Sequence, residues 1–165
     1  MKEVFLVRHA KSDWAHEFLN DIDRPLNERG YADAYRMAKL FKDKFEIPDK
    51  ILSSPATRAI NTAFIFSRIF NIEEEKVEIE KLIFEASFKT ITTVISKIDN
   101  SINSIILFGH NPGLTNFINE KSDAVLDNLP TCGIVRIKFE ISNWDEILNH
   151  NGLFISSEFP KDFRS

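Results

Sequence analysis

The chain has 165 residues, of which 43% are hydrophobic and 28% charged, a composition that suits one globular domain with a sizeable core. Its formal net charge is −4, it has no block of lysine or arginine, and it has one cysteine, so nucleic acid is not expected as the main partner and an internal disulfide is excluded. No apolar run reaches the roughly 20 residues of a membrane-spanning helix and no export signal is visible, so we expect a cytoplasmic protein with a single domain over residues 1–165.

The first strand and helix are predicted from the amino-terminal quarter. Residues 3–7 are mostly apolar and include β-branched and aromatic side chains, which predicts a short buried strand. Residues 9–25 are polar and predict a loop. Asn27 is the expected N-cap of a helix that continues to about Phe45, because apolar residues recur there at helical spacing.

The middle of the chain repeats the alternation of strand and helix. Residues 51–52 predict a second strand, after which Ser54 is the expected N-cap and Pro55 the first residue of a helix. Residues 77–79 predict a third strand, and residues 88–98 a third helix.

The remaining elements include the only antiparallel pair that we predict. Residues 104–109, "SIILFG", predict a strongly apolar strand, and Asn111 is the expected N-cap of a helix with Pro112 in its first turn. Residues 133–141 alternate in polarity, and with residues 153–157 they predict two antiparallel strands. The last six residues are expected to be a frayed tail.

Strands that alternate with helices indicate an α/β fold, a three-layer sandwich whose central sheet is mainly parallel and flanked by helices. Such sheets bind ligands beyond the carboxyl ends of their strands. Arg8 and His9 follow the first strand, Arg58 lies in the first turn of the second helix, and His110 follows "SIILFG". We therefore expect these four side chains to converge on one edge of the sheet.

These residue types suit a phosphate site. Guanidinium groups stay charged and match phosphate oxygens in geometry, and two nearby helix N-termini can add backbone donors. Neutral histidine is a nucleophile, and protonated histidine is a donor. The four histidines show neither pairing on one helix face nor support from cysteines, so a zinc site is not expected.

Five motifs in order carry a resemblance to a known family. They are "LVRHA", "RPLNERG", "SSPATRA", "LIFEAS" and "LFGHNPGL". Between residues 4 and 118 the chain resembles the histidine phosphatase superfamily and, within it, the small SixA-like phosphohistidine phosphatases; "LPTCGIVRIKF" resembles the family's closing strand region more loosely. The resemblance implies the phosphoglycerate mutase-like fold.

The resemblance also implies roles for individual residues. His9 would be phosphorylated during turnover, Arg8 and Arg58 would bind the phosphate, and His110 would complete the pocket as a catalytic and phosphate-binding residue. Glu85 falls where many relatives place a proton donor, although a glutamate ahead of a helix is also a favourable partner for the helix dipole. No metal or other cofactor is implied, because the arginines fill the role that magnesium has at other phosphoryl-transfer sites.

The short chain leaves little room for a lid, and an open site suits phosphohistidine presented by a protein, such as a histidine-containing phosphotransfer domain. A phosphatase of a small phosphorylated metabolite and a catalytically silent phosphate-binding module are the alternatives. Trp14 and Phe18 either pack over their loop, which we favour, or form a wall of the pocket. His16 and His150 are expected to face solvent.

Overall fold

A computed structural model describes residues 1–164 of the chain. They form a central sheet with the strand order β3-β2-β4-β1-β5-β6. The strands are β1 (Lys2–Arg8), β2 (Lys50–Ser53), β3 (Val77–Ile79), β4 (Ser104–Gly109), β5 (Ile134–Phe139) and β6 (Leu153–Glu158). The α-helices are α1 (Glu28–Lys44), α2 (Thr57–Ile69), α3 (Phe88–Ser96) and α4 (Gly113–Lys121).

The two central strands are buried on both faces, as expected for parallel strands between helices. Successive residues of β1, such as Val4 and Phe5, face opposite sides of the sheet and are at most 1% exposed. One side packs with α3 and α4, where Phe117 is buried, and the other packs with α1 and α2, where Phe41 and Phe66 are buried. These three layers confirm the predicted α/β sandwich.

The sheet register brings the predicted site residues together. β3, β2, β4 and β1 are parallel, and β5 and β6 are antiparallel to their neighbours. Arg8 pairs with Gly109, so His9 and His110 leave neighbouring strands at the same level. The His9 amide also donates to the Gly109 carbonyl at 3.1 Å. Ser54 joins the same edge, because its amide donates to the carbonyl of Phe108 at 3.0 Å.

Helix starts were predicted with mixed success. The Asn27 side chain accepts a hydrogen bond from the Gly30 amide at 2.8 Å, which confirms it as the N-cap of α1. The expected start of α2 at Pro55 was wrong, since the helix begins at Thr57 with Ala56 as N-cap. The Ser54 hydroxyl instead accepts a hydrogen bond from the Ala56 amide in a local turn.

Two further helix boundaries differ from the prediction. α4 begins at Gly113 with Pro112 as N-cap, so Asn111, the expected N-cap, lies one residue before the cap. The Asn111 side chain still accepts hydrogen bonds from the Thr115 amide and hydroxyl. α3 ends at Ser96 instead of residue 98.

The carboxyl-terminal segment is not frayed as far as it is described. Pro160–Asp162 form a 3-10 turn, and the guanidinium of Arg164 donates to both carboxylate oxygens of Asp33 at 3.1 and 2.7 Å. Asp33 lies on α1 and is 1% exposed, so this pair holds the segment against the helix. The frayed-tail prediction was wrong because it considered local sequence alone, whereas the partner of Arg164 is distant in the chain.

Candidate active site

A cavity of about 270 Å³ lies at the carboxyl edge of the parallel strands. Arg8, His9, Arg58 and His110 all line it, as the strand-end argument predicted. A larger cavity of about 400 Å³ lies at the opposite edge, around Glu3 and Asn103, and no histidine lines it. The smaller cavity is therefore the one in which cationic groups and nucleophiles meet.

His9 is held as a neutral imidazole with a defined tautomer. Its Nδ1 lies 2.7 Å from the carbonyl oxygen of Ala10, and since a carbonyl only accepts, Nδ1 carries the proton. The lone pair is then on Nε2. Burial lowers the pKa of His9 to about 3, and the guanidinium charges of Arg58 and Arg8 and the neighbouring His110 ring act in the same direction, while the Ala10 carbonyl opposes them. His9 is 8% exposed.

The two arginines are positioned by contacts at their terminal nitrogens. Arg8 Nη1 donates to the Leu129 carbonyl at 3.1 Å. Arg58 donates through Nη1 to the Asp21 carbonyl at 2.7 Å and through Nη2 to the Asp21 carboxylate at 3.1 Å. Burial lowers the pKa of both guanidiniums, but such groups remain charged at any physiological pH.

His110 is oriented by a hydroxyl and an aromatic ring. Its Nε2 lies 2.7 Å from Ser54 Oγ, which is the second partner of that hydroxyl. The rings of Phe84 and His110 pack nearly at right angles with their centroids 5.5 Å apart, and the His9 and His110 ring centroids are 5.2 Å apart. Burial and the nearby charge of Arg58 lower the pKa of His110 to about 4, so this ring is also neutral near pH 7.

Unpaired polar atoms are concentrated at this cavity. Within residues 1–164, four buried side-chain nitrogen or oxygen atoms have no hydrogen-bond partner, and three of them are Arg8 Nε, Arg58 Nε and His110 Nδ1. Buried polar atoms are almost always paired, because leaving one unsatisfied costs about 1–3 kcal/mol. Two of these three atoms belong to guanidinium groups of residues that line the cavity, so the cavity carries positive charge that suits a small anion.

Arg24 and Asp21 are among the site residues that the sequence interpretation missed. Arg24 lines the cavity, is 7% exposed, and donates to Asp21 Oδ1 at 3.0 Å and to Ser12 Oγ at 2.7 Å. Burial opposes ionisation of Asp21, but Arg24 and Arg58 outweigh it and lower the Asp21 pKa. Arg24 lies in the quoted "RPLNERG" motif, which could have identified it, whereas Asp21 lies outside all five motifs.

The structure does not place Glu85 among the residues that line the cavity. It is exposed, has a φ of 55°, and follows Phe84, which contacts His110. Burial lowers the pKa of Arg58, and the negative charge of Glu85 opposes this lowering slightly, so Glu85 lies near Arg58 without lining the cavity. Its role as a proton donor stays a prediction.

The aromatic residues of the loop before α1 behave differently from each other. Trp14 lines the cavity and its ring lies 3.3 Å from the Arg24 guanidinium carbon, so it is a wall residue as well as a packed one. Phe18 is 101% exposed, so the prediction that it packs was wrong. His16 and His150 are exposed, as predicted.

Two buried residues support the backbone of the site. Thr62 Oγ1 accepts from the Ala10 amide at 3.0 Å and donates to the Arg58 carbonyl at 2.7 Å, which ties the loop after β1 to α2. The Cys132 amide donates to the carbonyls of Arg8 and His9 at 2.8 and 3.1 Å.

Other features of residues 1–164 bear on alternative site types. No group of three or more histidine, cysteine, aspartate or glutamate side chains is arranged to hold a metal ion within this range. None of the helices described here is both long and apolar enough to cross a bilayer.

Solved structures share the fold over nearly the whole chain. A structure from Agrobacterium tumefaciens, provisionally named phosphohistidine phosphatase SixA, superposes with a TM-score of 0.80 at 29% sequence identity and covers 96% of this chain and 98% of that one. The protein histidine phosphatase SixA in complex with tungstate superposes with a TM-score of 0.83 at 19% identity, covering 98% of this chain and 99% of that one.

Sequence comparison gives the family. An uncharacterised chloroplast protein of Arabidopsis thaliana is 30% identical over 164 residues, which cover 92% of this chain and 72% of that protein. The 2,3-bisphosphoglycerate-dependent phosphoglycerate mutase of Bifidobacterium longum is 42% identical over 65 residues, but this match covers only 38% of this chain and 26% of the mutase. The sequence profile of the histidine phosphatase superfamily (branch 1) matches residues 4–101, and the chain belongs to that superfamily of phosphatases and mutases.

Proposed function

We propose that this protein is a phosphatase that uses His9 as its nucleophile and removes the phosphoryl group from phosphohistidine on a protein. Arg8, Arg58 and His110 bind the phosphoryl oxygens, and residues 1–165 act as a single catalytic domain. The guanidiniums supply the positive charge that the transferring group needs, so no metal enters this proposal.

The observation that carries the proposal is the state of His9. The hydrogen bond from Nδ1 to the Ala10 carbonyl, at 2.7 Å, leaves the Nε2 lone pair free inside a cavity rich in cationic donors. A buried imidazole whose pKa is lowered to about 3 stays unprotonated, and therefore nucleophilic, at neutral pH. A site that only bound phosphate would gain nothing from such a group, since a neutral imidazole adds no positive charge.

The reaction has two steps whose atoms and charges balance. His9 Nε2 attacks phosphorus and the bond to the leaving group breaks, which gives a phosphoimidazolium because Nδ1 keeps its proton. Water then attacks phosphorus, the P–Nε2 bond breaks, and its electron pair returns to a neutral His9 as dihydrogen phosphate leaves. The Ala10 carbonyl assists the second step, because it keeps the proton that makes the imidazole a good leaving group.

The carboxylates around the site favour a leaving group that needs no proton. No carboxyl group lines the cavity within the described residues. Asp21 is paired with two arginines, which lower its pKa and make it a poor acid. A serine or sugar alkoxide requires a proton as it departs, whereas the imidazole of phosphohistidine leaves neutral when its other nitrogen is already protonated. These facts support phosphohistidine over a phosphomonoester.

Side-by-side kinetics test this proposal. We expect kcat/KM to be at least about 100-fold higher for a phosphohistidine-bearing phosphotransfer protein than for phosphoserine, phosphoglycerate or sugar phosphates, the scale of general acid catalysis that the ester would lack. His9→Gln should abolish turnover, and His16→Gln, at an exposed histidine outside the cavity, should not. Faster turnover of a metabolite would contradict the substrate, and phosphate binding without turnover of any substrate would make the protein a silent binding module.

A further inference from the structure

Trp14 lines the cavity, and its ring packs against the guanidinium group of Arg24. The Arg24 guanidinium carbon lies 3.3 Å from the centre of the Trp14 ring. Arg24 itself is buried and held by Asp21 at 3.0 Å and by Ser12 at 2.7 Å. A planar guanidinium fixed in this way covers one face of the indole and holds the ring plane at a defined position.

The other face of the ring remains accessible. Trp14 is 73% exposed although Arg24 covers one face, and it lines the same cavity as His9. Phe18, four residues further along the same loop, is equally aromatic and exposed but does not line the cavity. Among these two exposed aromatic residues of the loop, Trp14 alone is therefore part of the cavity.

The difference in burial places the indole at the outer side of the cavity, the side toward which a leaving group extends. His9 and Arg58 are 8% and 6% exposed and form the deep part of the cavity, whereas Trp14 is at its outer side. In an in-line displacement the leaving atom lies opposite the nucleophile, so the group attached to phosphorus extends from the deep part toward solvent. An aromatic ring at that position can stack on a planar leaving group, whereas it makes only weak contacts with a flexible or very small leaving group.

We propose that Trp14 is a substrate-contacting residue whose open face stacks on a planar aromatic leaving group, the imidazole ring of the substrate histidine. This inference rests on the proposed function, because it assigns the part of the substrate that the phosphate-binding residues do not hold. Arg24, Asp21 and Ser12 are its positioning residues. Trp14 thereby selects for a ring among substrates that share the same phosphorus–nitrogen bond.

Two small substrates distinguish stacking of the leaving group on Trp14 from cleavage of the phosphorus–nitrogen bond. Phosphoimidazole and phosphoramidate both have a P–N bond, but the first releases an aromatic ring and the second releases ammonia. We expect Trp14→Ala to lower kcat/KM for phosphoimidazole about tenfold, as for the loss of one aromatic stack, and to lower it less than threefold for phosphoramidate. Trp14→Phe should keep most of the preference for the ring, and Phe18→Ala should alter neither rate.

The outcomes distinguish the two proposals. An equal loss on both substrates in Trp14→Ala would show that the indole only orders its loop, and no loss on either would show that it does not contact the substrate; both results overturn the inference while the proposed function stands. Failure of the wild-type protein to hydrolyse either P–N substrate would contradict the proposed function itself, and the inference with it.

Discussion

Lowering the pH should destabilise this protein through its two buried histidines. The pKa of His9 is lowered to about 3 and that of His110 to about 4, whereas both rings would titrate near 6.5 in the unfolded chain. Between pH 6.5 and 4 the unfolded state therefore binds two protons that the folded state does not, so the free energy of unfolding falls as the pH falls. From pH 7 to pH 5 each histidine contributes a loss of roughly 2 kcal/mol, since one pKa unit corresponds to about 1.4 kcal/mol. The sum of about 4 kcal/mol is a large part of the 5–15 kcal/mol that is typical of a domain.

Urea unfolding at pH 7, 6 and 5 measures this effect. The wild-type protein should lose about 4 kcal/mol more of its free energy of unfolding than the double variant His9→Gln/His110→Gln, because glutamine does not titrate. A second double variant, His16→Gln/His150→Gln, changes two exposed histidines and should follow the wild type. The reasoning would be refuted if the wild type and the His9/His110 variant lost stability in parallel, since the two rings would then be protonated equally in both states.

Three further variants test individual contacts of the site. Arg58→Ala should lower kcat/KM by at least about 100-fold, the scale for losing one charged donor to the transferring group. Arg68→Ala, at an exposed arginine outside the cavity, is the control. A loss below tenfold would place Arg58 away from the phosphoryl oxygens. Glu85 does not line the cavity, so Glu85→Gln should change the turnover of phosphomonoesters and of phosphohistidine little and to the same extent; a loss confined to phosphomonoesters in steady-state assays would show that Glu85 supplies their proton and would contradict the argument for phosphohistidine. Ser54→Ala removes the hydroxyl that contacts His110 at 2.7 Å. The free energy of unfolding, measured by thermal unfolding, should fall by about 1 kcal/mol, and kcat should fall measurably. An unchanged kcat would mean that the hydroxyl does not orient the ring.

The parts of the fold that follow from local periodicity were predictable. The apolar run of "SIILFG" coincides with β4, and the alternation of strands with helices was enough to predict a parallel sheet. From that topology alone, Arg8, His9, Arg58 and His110 could be expected at one edge. The sheet register that places Arg8 beside Gly109 explains why the expectation held.

The parts that depend on distant contacts were not predictable. Asp21 and Arg24 lie in a loop without periodicity, and their importance becomes visible only when Arg58 of α2 reaches the Asp21 carboxylate at 3.1 Å. Ser54 was expected to cap a helix because its hydroxyl could satisfy backbone amides, but the hydroxyl also contacts His110 from another strand. Glu85 matches a family motif, yet it is exposed, has a left-handed backbone conformation and does not line the cavity, none of which local sequence reveals.

Identification of the phosphorylated residue during turnover tests the central claim most directly. The protein would be mixed with phosphoramidate, quenched within milliseconds into base, and mapped by mass spectrometry, because phosphohistidine survives in base and is lost in acid. We predict a phosphoryl group on the peptide that contains His9, absent after acid treatment and absent in His9→Gln. Rapid product formation with no phosphorylated His9, or with the phosphoryl group on His110, would contradict the mechanism.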